Sequence, residues 1–247
     1  MAYKLCCAAL LLILQLFTVS CNLLTKPPQA PPIITITFDD QNANVFSVAL
    51  PIMSQYGYRG SCFVNSGKLG QNGLLSVDEV KSLNNQYNWE IGGHSLNHEH
   101  LPQQNYPQAE LAISDDFRNL QNIGVNPISF AIPFGNCPAE YYPILLHYYQ
   151  NIRGSIDFAM FQPIDRHSLG YFPYQNGWTA SLMKERIRRG IVNHESLVVL
   201  GFHRIGDASS SYEDNCPASV FAEIINYIHQ LGLEVLPLSE AVDKLSH

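Results

Sequence analysis

The sequence predicts an α/β fold, a closed or distorted barrel of about seven β/α repeats in a single domain. Three observations carry this expectation. From Ile33 onward, short β-branched or aromatic runs alternate with amphipathic stretches. Polar residues stand directly after several of those runs, at the strand ends where parallel β/α folds gather their reactive groups. Residues 33–247 supply length for one barrel and little room for a second domain.

Each element has its own signal. Ile33–Phe38 (IITITF) reads as the first strand, and Asn44–Tyr56 as a helix broken or kinked by Pro51. Ser61–Val64 is a second strand. Ser76 with Glu79 three residues on is a capping box that opens a helix reaching Tyr87. Trp89–Ile91 is the third strand. Pro107–Ile123 carries Leu111, Phe117 and Leu120 among polar residues and stops at Gly124, as a helix does. Strands are expected at Ile128–Ile132, Ile152–Ile156, Leu197–Phe202 and Glu234–Leu236. Helices are expected near Pro138–Tyr149, Thr179–Val192 and Pro217–Leu231.

The residues ahead of Ile33 read differently. Lys4 followed by the apolar run Leu5–Val19 is too short to span a bilayer and has the length of a secretory signal core, so residues 1–20 are expected to direct export. TVSC, ending at Cys21, is similar to a bacterial lipobox with Thr18 in place of the usual Leu. Cys21 is then either a lipidated anchor or an incidental cysteine after an ordinary signal. Residues 21–32, with TKPPQAPP, form a proline-rich spacer. Lipidation would place the domain on the bacterial cell envelope. Of the later cysteines, Cys62 lies in an apolar strand. Cys137 and Cys216, each in the string NCP, form either a bridge between neighbouring loops or two free thiols.

Composition excludes some functions. Lys plus Arg number 14 against 21 Asp plus Glu, for a net charge of −7. No basic run exists to neutralise a phosphate backbone, so nucleic acid is not an expected partner. With 46% hydrophobic and 14% charged residues the chain folds.

Three strand ends carry candidate chemistry. Asp39-Asp40 follows ITITF; adjacent residues of a strand point to opposite sides, so the two carboxylates can take different tasks, one toward a metal and one toward a substrate. A helix N-cap with an acidic neighbour is the structural alternative. His94 and His98 in HSLNH stand at i and i+4, which on a helical turn brings two imidazoles to one ion. With one carboxylate they make a three-ligand site of the catalytic kind. His100, off that spacing, is expected to be a solvated loop residue. His203 closes the strand LVVLGF and is either a satisfied core residue or a general acid or base, depending on where it points.

TFDD at Thr37–Asp40, HSLNH at His94–His98, AIPFG at Ala131–Gly135 and LGFH at Leu200–His203 occur in the order and spacing of the polysaccharide deacetylases. The chain resembles that family, the NodB-homology or family 4 carbohydrate esterases, over Ile33 to Leu245. The resemblance implies a distorted seven-stranded β/α barrel that removes N-acetyl groups from an N-acetylglucosamine-containing polysaccharide. By it, Asp39 is the general base, Asp40 with His94 and His98 hold a divalent metal, usually zinc, and His203 is the general acid. It makes the backbone N–H of Phe134 the oxyanion donor, and Leu200 and Pro133 parts of the acetyl pocket. Trp178 is either a sugar-stacking platform or a turn-packing residue.

One position departs from the pattern. Many members carry Arg where this chain has Ala131, and there it orients the catalytic aspartate. Arg153 and Arg166 are the nearest replacements in sequence order, Arg166 slightly preferred, with a surface role as the alternative for each. The departure leaves open a glycan-binding protein that keeps metal and fold without turnover, and the fold also admits an amidohydrolase on another substrate.

Overall fold

β1 (Ile33–Phe38) forms the middle of a seven-stranded sheet because its alternating pattern gives it two usable faces. In the computed structural model, which describes residues 30–206 and 214–247, the other strands are β2 (Ser61–Val64), β3 (Glu90–Gly93), β4 (Ser129–Ala131), β5 (Asn151–Arg153), β6 (Phe172–Pro173) and β7 (Leu197–Phe202). Their order is β5-β4-β3-β2-β1-β7-β6, and every adjacent pair is parallel. The two edges meet through one short segment. Leu169 bridges Arg153 on β5, and Phe172 pairs Leu200 on β7. The sheet thus curls into the distorted barrel expected from the sequence, and residues 31–247 pack as one unit.

The helices are α1 (Leu50–Ser54), α2 (Val77–Asn85), α3 (Tyr106–Asn122), α4 (Tyr142–Tyr148), α5 (Ala180–Val192), α6 (Ala218–Gln230) and α7 (Leu238–Leu245). A π turn, Val45–Ala49, leads into α1, and Pro51 stands in the first turn of α1, where its missing N–H costs nothing. The Ser76–Glu79 capping box at α2 is present in full, and α3 carries a second one, Asn105 with Gln108.

Side-chain parity divides the molecule. Ile34, Ile36 and Phe38 of β1 and Val198, Leu200 and Phe202 of β7 pack outward under α1, α5 and α6 in the largest cluster. Phe38 is its pivot, with Trp89, Phe202 and Phe221 ring centroids at 5.5, 5.9 and 5.8 Å. The alternate residues Thr35, Thr37 and Asp39, with Val199 and Gly201 beside them, face the barrel interior.

Some expectations change. Glu234–Leu236 is not a strand: it makes one bridge, Val235 to Ile34, because β2 pairs β1 only at Thr37 and Phe38 and leaves the earlier half of β1 open on that side. α7, β6 and the small parallel pair β8 (Arg204–Gly206) and β9 (Asn215–Pro217) are additional. α7 docks where Leu238 N–H donates to Ser61 and Ser239 N–H to the buried Glu90 carboxylate. The three described cysteines are free thiols. Cys137 belongs to the cluster around β4 and α4, whereas Cys216 is buried with the β1 cluster, so of the two alternatives the free thiols hold and no bridge joins them. No helix among the described residues is long and apolar enough to cross a membrane. The signal at 1–20, Cys21 and the spacer up to residue 29 lie outside the described residues.

Phe38→Ala is expected to cost about 3–5 kcal/mol in urea unfolding, because the cavity would open in the middle of four packed rings. Leu111→Ala on the exposed side of α3, where Leu111 is 56% exposed, is expected to stay within about 0.5 kcal/mol of the parent.

Candidate active site

At the carboxyl end of β1 the ladder continues one residue, since Asp39 N–H donates to Phe202 O at 2.9 Å. That keeps Asp39 extended and turns its side chain inward, where it is 4% exposed. The next residue breaks the strand: Asp40 has φ 65°, and the reversal sends its carboxylate a different way. Adjacent carboxylates therefore reach separate partners.

Asp39 meets Arg153. The Nη2 of Arg153 donates to both carboxylate oxygens, at 2.8 and 2.7 Å, with the guanidinium 1% exposed. Its guanidinium carbon lies over two rings, 4.0 Å from the Tyr171 centroid and 5.0 Å from that of Phe63. Tyr171 in turn needs Gly201: a Cβ there would stand 1.8 Å from its ring. Burial alone would push the Asp39 carboxyl up; Arg153, with His94 and His203 nearby, overcomes burial and holds it below the ordinary carboxylate range. Arg153 is the register partner of Ala131 on the neighbouring strand, so the guanidinium enters the site one strand over from the position where the sequence lacks it. Arg166, the preferred candidate from sequence order, pairs instead with Asp243 at the surface.

Asp40 meets the histidines. Its Oδ1 lies 3.6 Å from His94 Nε2 and 3.4 Å from His98 Nε2, and it is buried without a hydrogen-bond partner among the described residues. These three ligand atoms lie within 4.8 Å of one another. Such an orphaned carboxylate oxygen between two imidazole nitrogens fits a divalent cation, and one Asp with two His is a donor set for zinc or a similar ion. The Nδ1–H of His94 donates to Ala131 O at 2.7 Å, which leaves Nε2 as the lone-pair atom. Burial pushes the His94 imidazole down to about 4 against the pull of Asp39 and Asp40, and burial likewise lowers His98. Both are neutral near pH 7, as ligands must be.

HSLNH is not a helical turn. Ser95 and His98 have φ 64° and 62°, and the loop is held by Glu99, which accepts from Ser95 Oγ at 2.6 Å and from Asn97 N–H at 2.9 Å. The imidazoles converge all the same, with centroids 4.9 Å apart. His100 is a half-buried loop residue rather than a fully solvated one, packed edge-on against Phe134 at 5.1 Å.

These groups share one cleft of about 370 Å³, with Asp39, Asp40, His94, His98, Arg153 and His203 in its wall. His203 points into the cleft, with Nδ1 buried and unpaired among the described residues. Phe134 has φ 57° in the turn Pro133–Gly135 and holds its ring 62% exposed at the mouth, 4.4 Å from His98. Three expected pocket residues lie elsewhere. Leu200 faces outward under the helices by strand parity, Pro133 is buried in its turn, and Trp178 packs on Phe172 and Tyr174. Ile132 of AIPFG takes one of those places; Ser155, Tyr171, Pro173, Gln175 and Asp214 take the others, and these five carry no motif signal.

Comparison with known proteins matches the same region. The family model for polysaccharide deacetylase matches residues 26–148, which include both aspartates, HSLNH and AIPFG. The chain belongs to the polysaccharide deacetylase family. Among solved structures it is similar to the family 4 carbohydrate esterase domain of a multidomain xylanase from the hindgut metagenome of Trinervitermes trinervoides, with TM-score 0.59, 14% identity, and 87% of this chain and 91% of that one covered. It is also similar to a Bacillus subtilis peptidoglycan deacetylase in variant form (0.58, 18%, 87% and 93%). A family 4 pseudoenzyme of Bacillus anthracis matches as well (0.61, 14%, 90% and 70%). No curated protein matches the sequence.

His94→Ala and His98→Ala are expected to abolish stoichiometric divalent metal by elemental analysis, whereas Asp39→Asn retains it. Equal loss in all three variants would contradict the division between Asp39 and Asp40. Acid should also weaken the metal-free protein. The folded state keeps His94 neutral down to about 4 and the unfolded chain takes up the proton near 6.5, so the unfolded state binds more protons in that window. Stability is then lost as pH falls through it, by on the order of 3 kcal/mol for this group. Urea midpoints at about pH 7 and about pH 4.5 should fall further apart in the parent than in His94→Gln.

Proposed function

We propose that the protein is a metal-dependent hydrolase that removes N-acetyl groups from an N-acetylglucosamine-containing polysaccharide. The observation that carries this reading is the divergence of Asp39 and Asp40: one carboxylate is ion-paired and oriented into the cleft as a base, the other is aimed at two neutral imidazoles. Asp40, His94 and His98 would hold the ion, with zinc the best match to the donor set. The chemistry such an ion would supply when bound is polarisation of the acetyl carbonyl and a lowered pKa for a water molecule.

The protein's own groups do the rest. Asp39, kept ionised by Arg153, accepts the proton of the attacking water. Phe134, left-handed in its turn, offers its backbone N–H to the carbonyl oxygen as negative charge develops there. His203, which follows β7 beside Asp39 and lines the same cleft, gives a proton to the leaving amine. Ile132, Phe134 and Pro173 provide an apolar wall for the acetyl methyl group, and Gln175 and Ser155 provide polar atoms for the sugar.

The pseudoenzyme neighbour and Ala131 favour the reading of a protein that binds glycan without turnover. The Arg153–Asp39 pair argues against it, because the base is held as an active site requires. The apolar run 5–19 and Cys21 support export and lipid anchoring on the cell envelope, with residues 21–32 as tether.

Acetate should be released from N-acetylglucosamine oligomers and abolished by chelator. Asp39→Asn and His203→Ala should each lower turnover by about 10²–10⁴-fold at unchanged metal content. Absence of release from every linkage tested, with metal still bound, would establish the binding reading instead. Release from acetylxylan alone would establish another substrate.

A further inference from the structure

Asp40 and Gln41 are consecutive non-glycine residues in the left-handed region, with φ 65° and 38°. Such backbone is costly unless the surroundings hold it. The hold comes from the side chain of Gln41, which is fully buried. Its Oε1 accepts from Asn65 N–H at 2.8 Å and its Nε2 donates to Asn65 O at 3.3 Å, so the amide lies along residue 65 as a neighbouring strand would, just past the last β1–β2 backbone pair. The backbone O of Gln41 accepts from Leu75 N–H at 2.8 Å.

Asn65 passes the constraint on. It is 1% exposed, and its Nδ2 donates to His94 O at 2.5 Å and Ser95 O at 3.2 Å. A second buried link runs in parallel: Asp116 of α3 accepts from Ser66 N–H at 2.8 Å and from His94 N–H at 3.0 Å. The residue after the carboxylate ligand is thus joined through the end of β2 to both sides of the first histidine's backbone. The bracing side chains of Gln41, Asn65 and Asp116 do not line the cleft, and their polar atoms are satisfied by the contacts just described.

We infer that Gln41 and Asn65 are positioning residues of the metal site: a buried amide brace that sets the separation between Asp40 and the His94–His98 loop. The inference rests on the metal-site reading above. Outer partners of this kind are typically worth 10–100-fold in metal affinity. The brace differs from general packing because it fixes ligand spacing, so it must register in the properties of the bound ion.

The test is cobalt(II) binding by the full domain, read by competition with a chromophoric chelator and by the ligand-field absorption of the bound ion. Gln41→Met, which keeps the shape and removes both hydrogen bonds, and Asn65→Ala, which keeps the backbone that Gln41 grips, are each expected to weaken binding about 10–100-fold and to change the absorption bands. Gln41→Gly, free of the left-handed cost but without the clamp, is expected to resemble Gln41→Met. Circular dichroism confirms that each measured sample is folded, and any one folded variant decides. Parent-like affinity and bands in Gln41→Gly or Asn65→Ala would overturn the brace while leaving the metal site intact. A parent protein that binds no cobalt would overturn the metal-site reading itself.

Discussion

A carboxylate and a guanidinium, both almost fully withdrawn from water, face each other across the mouth of the barrel at Asp39 and Arg153. Desolvating two such groups costs several kcal/mol each, and the attraction repays it only with good geometry and further contacts. Both are present. One guanidinium nitrogen reaches both oxygens, and the cation also lies over the rings of Phe63 and Tyr171. The rest of the site is arranged around this pair. Tyr171 can cover Arg153 only because Gly201 has no side chain, and Tyr171 arrives on the segment that joins the two edges of the sheet. Barrel closure and base orientation are thus one structural event.

The pair also explains why two adjacent aspartates do not compete. Asp39 is fixed on the interior side by the β1–β7 ladder, and the chain reverses at Asp40 so that the second carboxylate faces the imidazoles. An electrostatic division follows from position alone: one acid beside a permanent cation, the other beside two histidines that burial keeps neutral. The reversal needs support, and the buried amides of Gln41 and Asn65 supply it from outside the cleft.

Much of this was legible in the sequence. Strand-helix alternation gave the barrel, and TFDD, HSLNH and LGFH marked three strand ends that meet in space, because strand ends of a parallel sheet all lie on one side. What was not legible depended on register. Ala131 and Arg153 are neighbours across β4 and β5, a relation that sequence order does not carry, so sequence order slightly favours Arg166. The same limit hid Tyr171, Gln175 and Asp214 and let two NCP strings suggest a bridge between cysteines of different clusters. Leu200 was misplaced for a simpler reason: strand alternation puts it on the face opposite Gly201 and away from the cleft. The histidine spacing predicted the right pair through the wrong geometry, since a braced loop rather than a helical turn brings the rings together.

Arg153 on β5, the register partner of Ala131 on β4, supplies the guanidinium that holds Asp39. The most direct measurement is kcat/KM for acetate release in Arg153→Ala and in the double variant Ala131→Arg/Arg153→Ala, with metal content followed in both. If this ion pair orients Asp39 for turnover, the single variant loses about 10²-fold or more at full metal occupancy and recovers substantially when the arginine is returned through β4. Activity in Arg153→Ala within about twofold of the parent would contradict it.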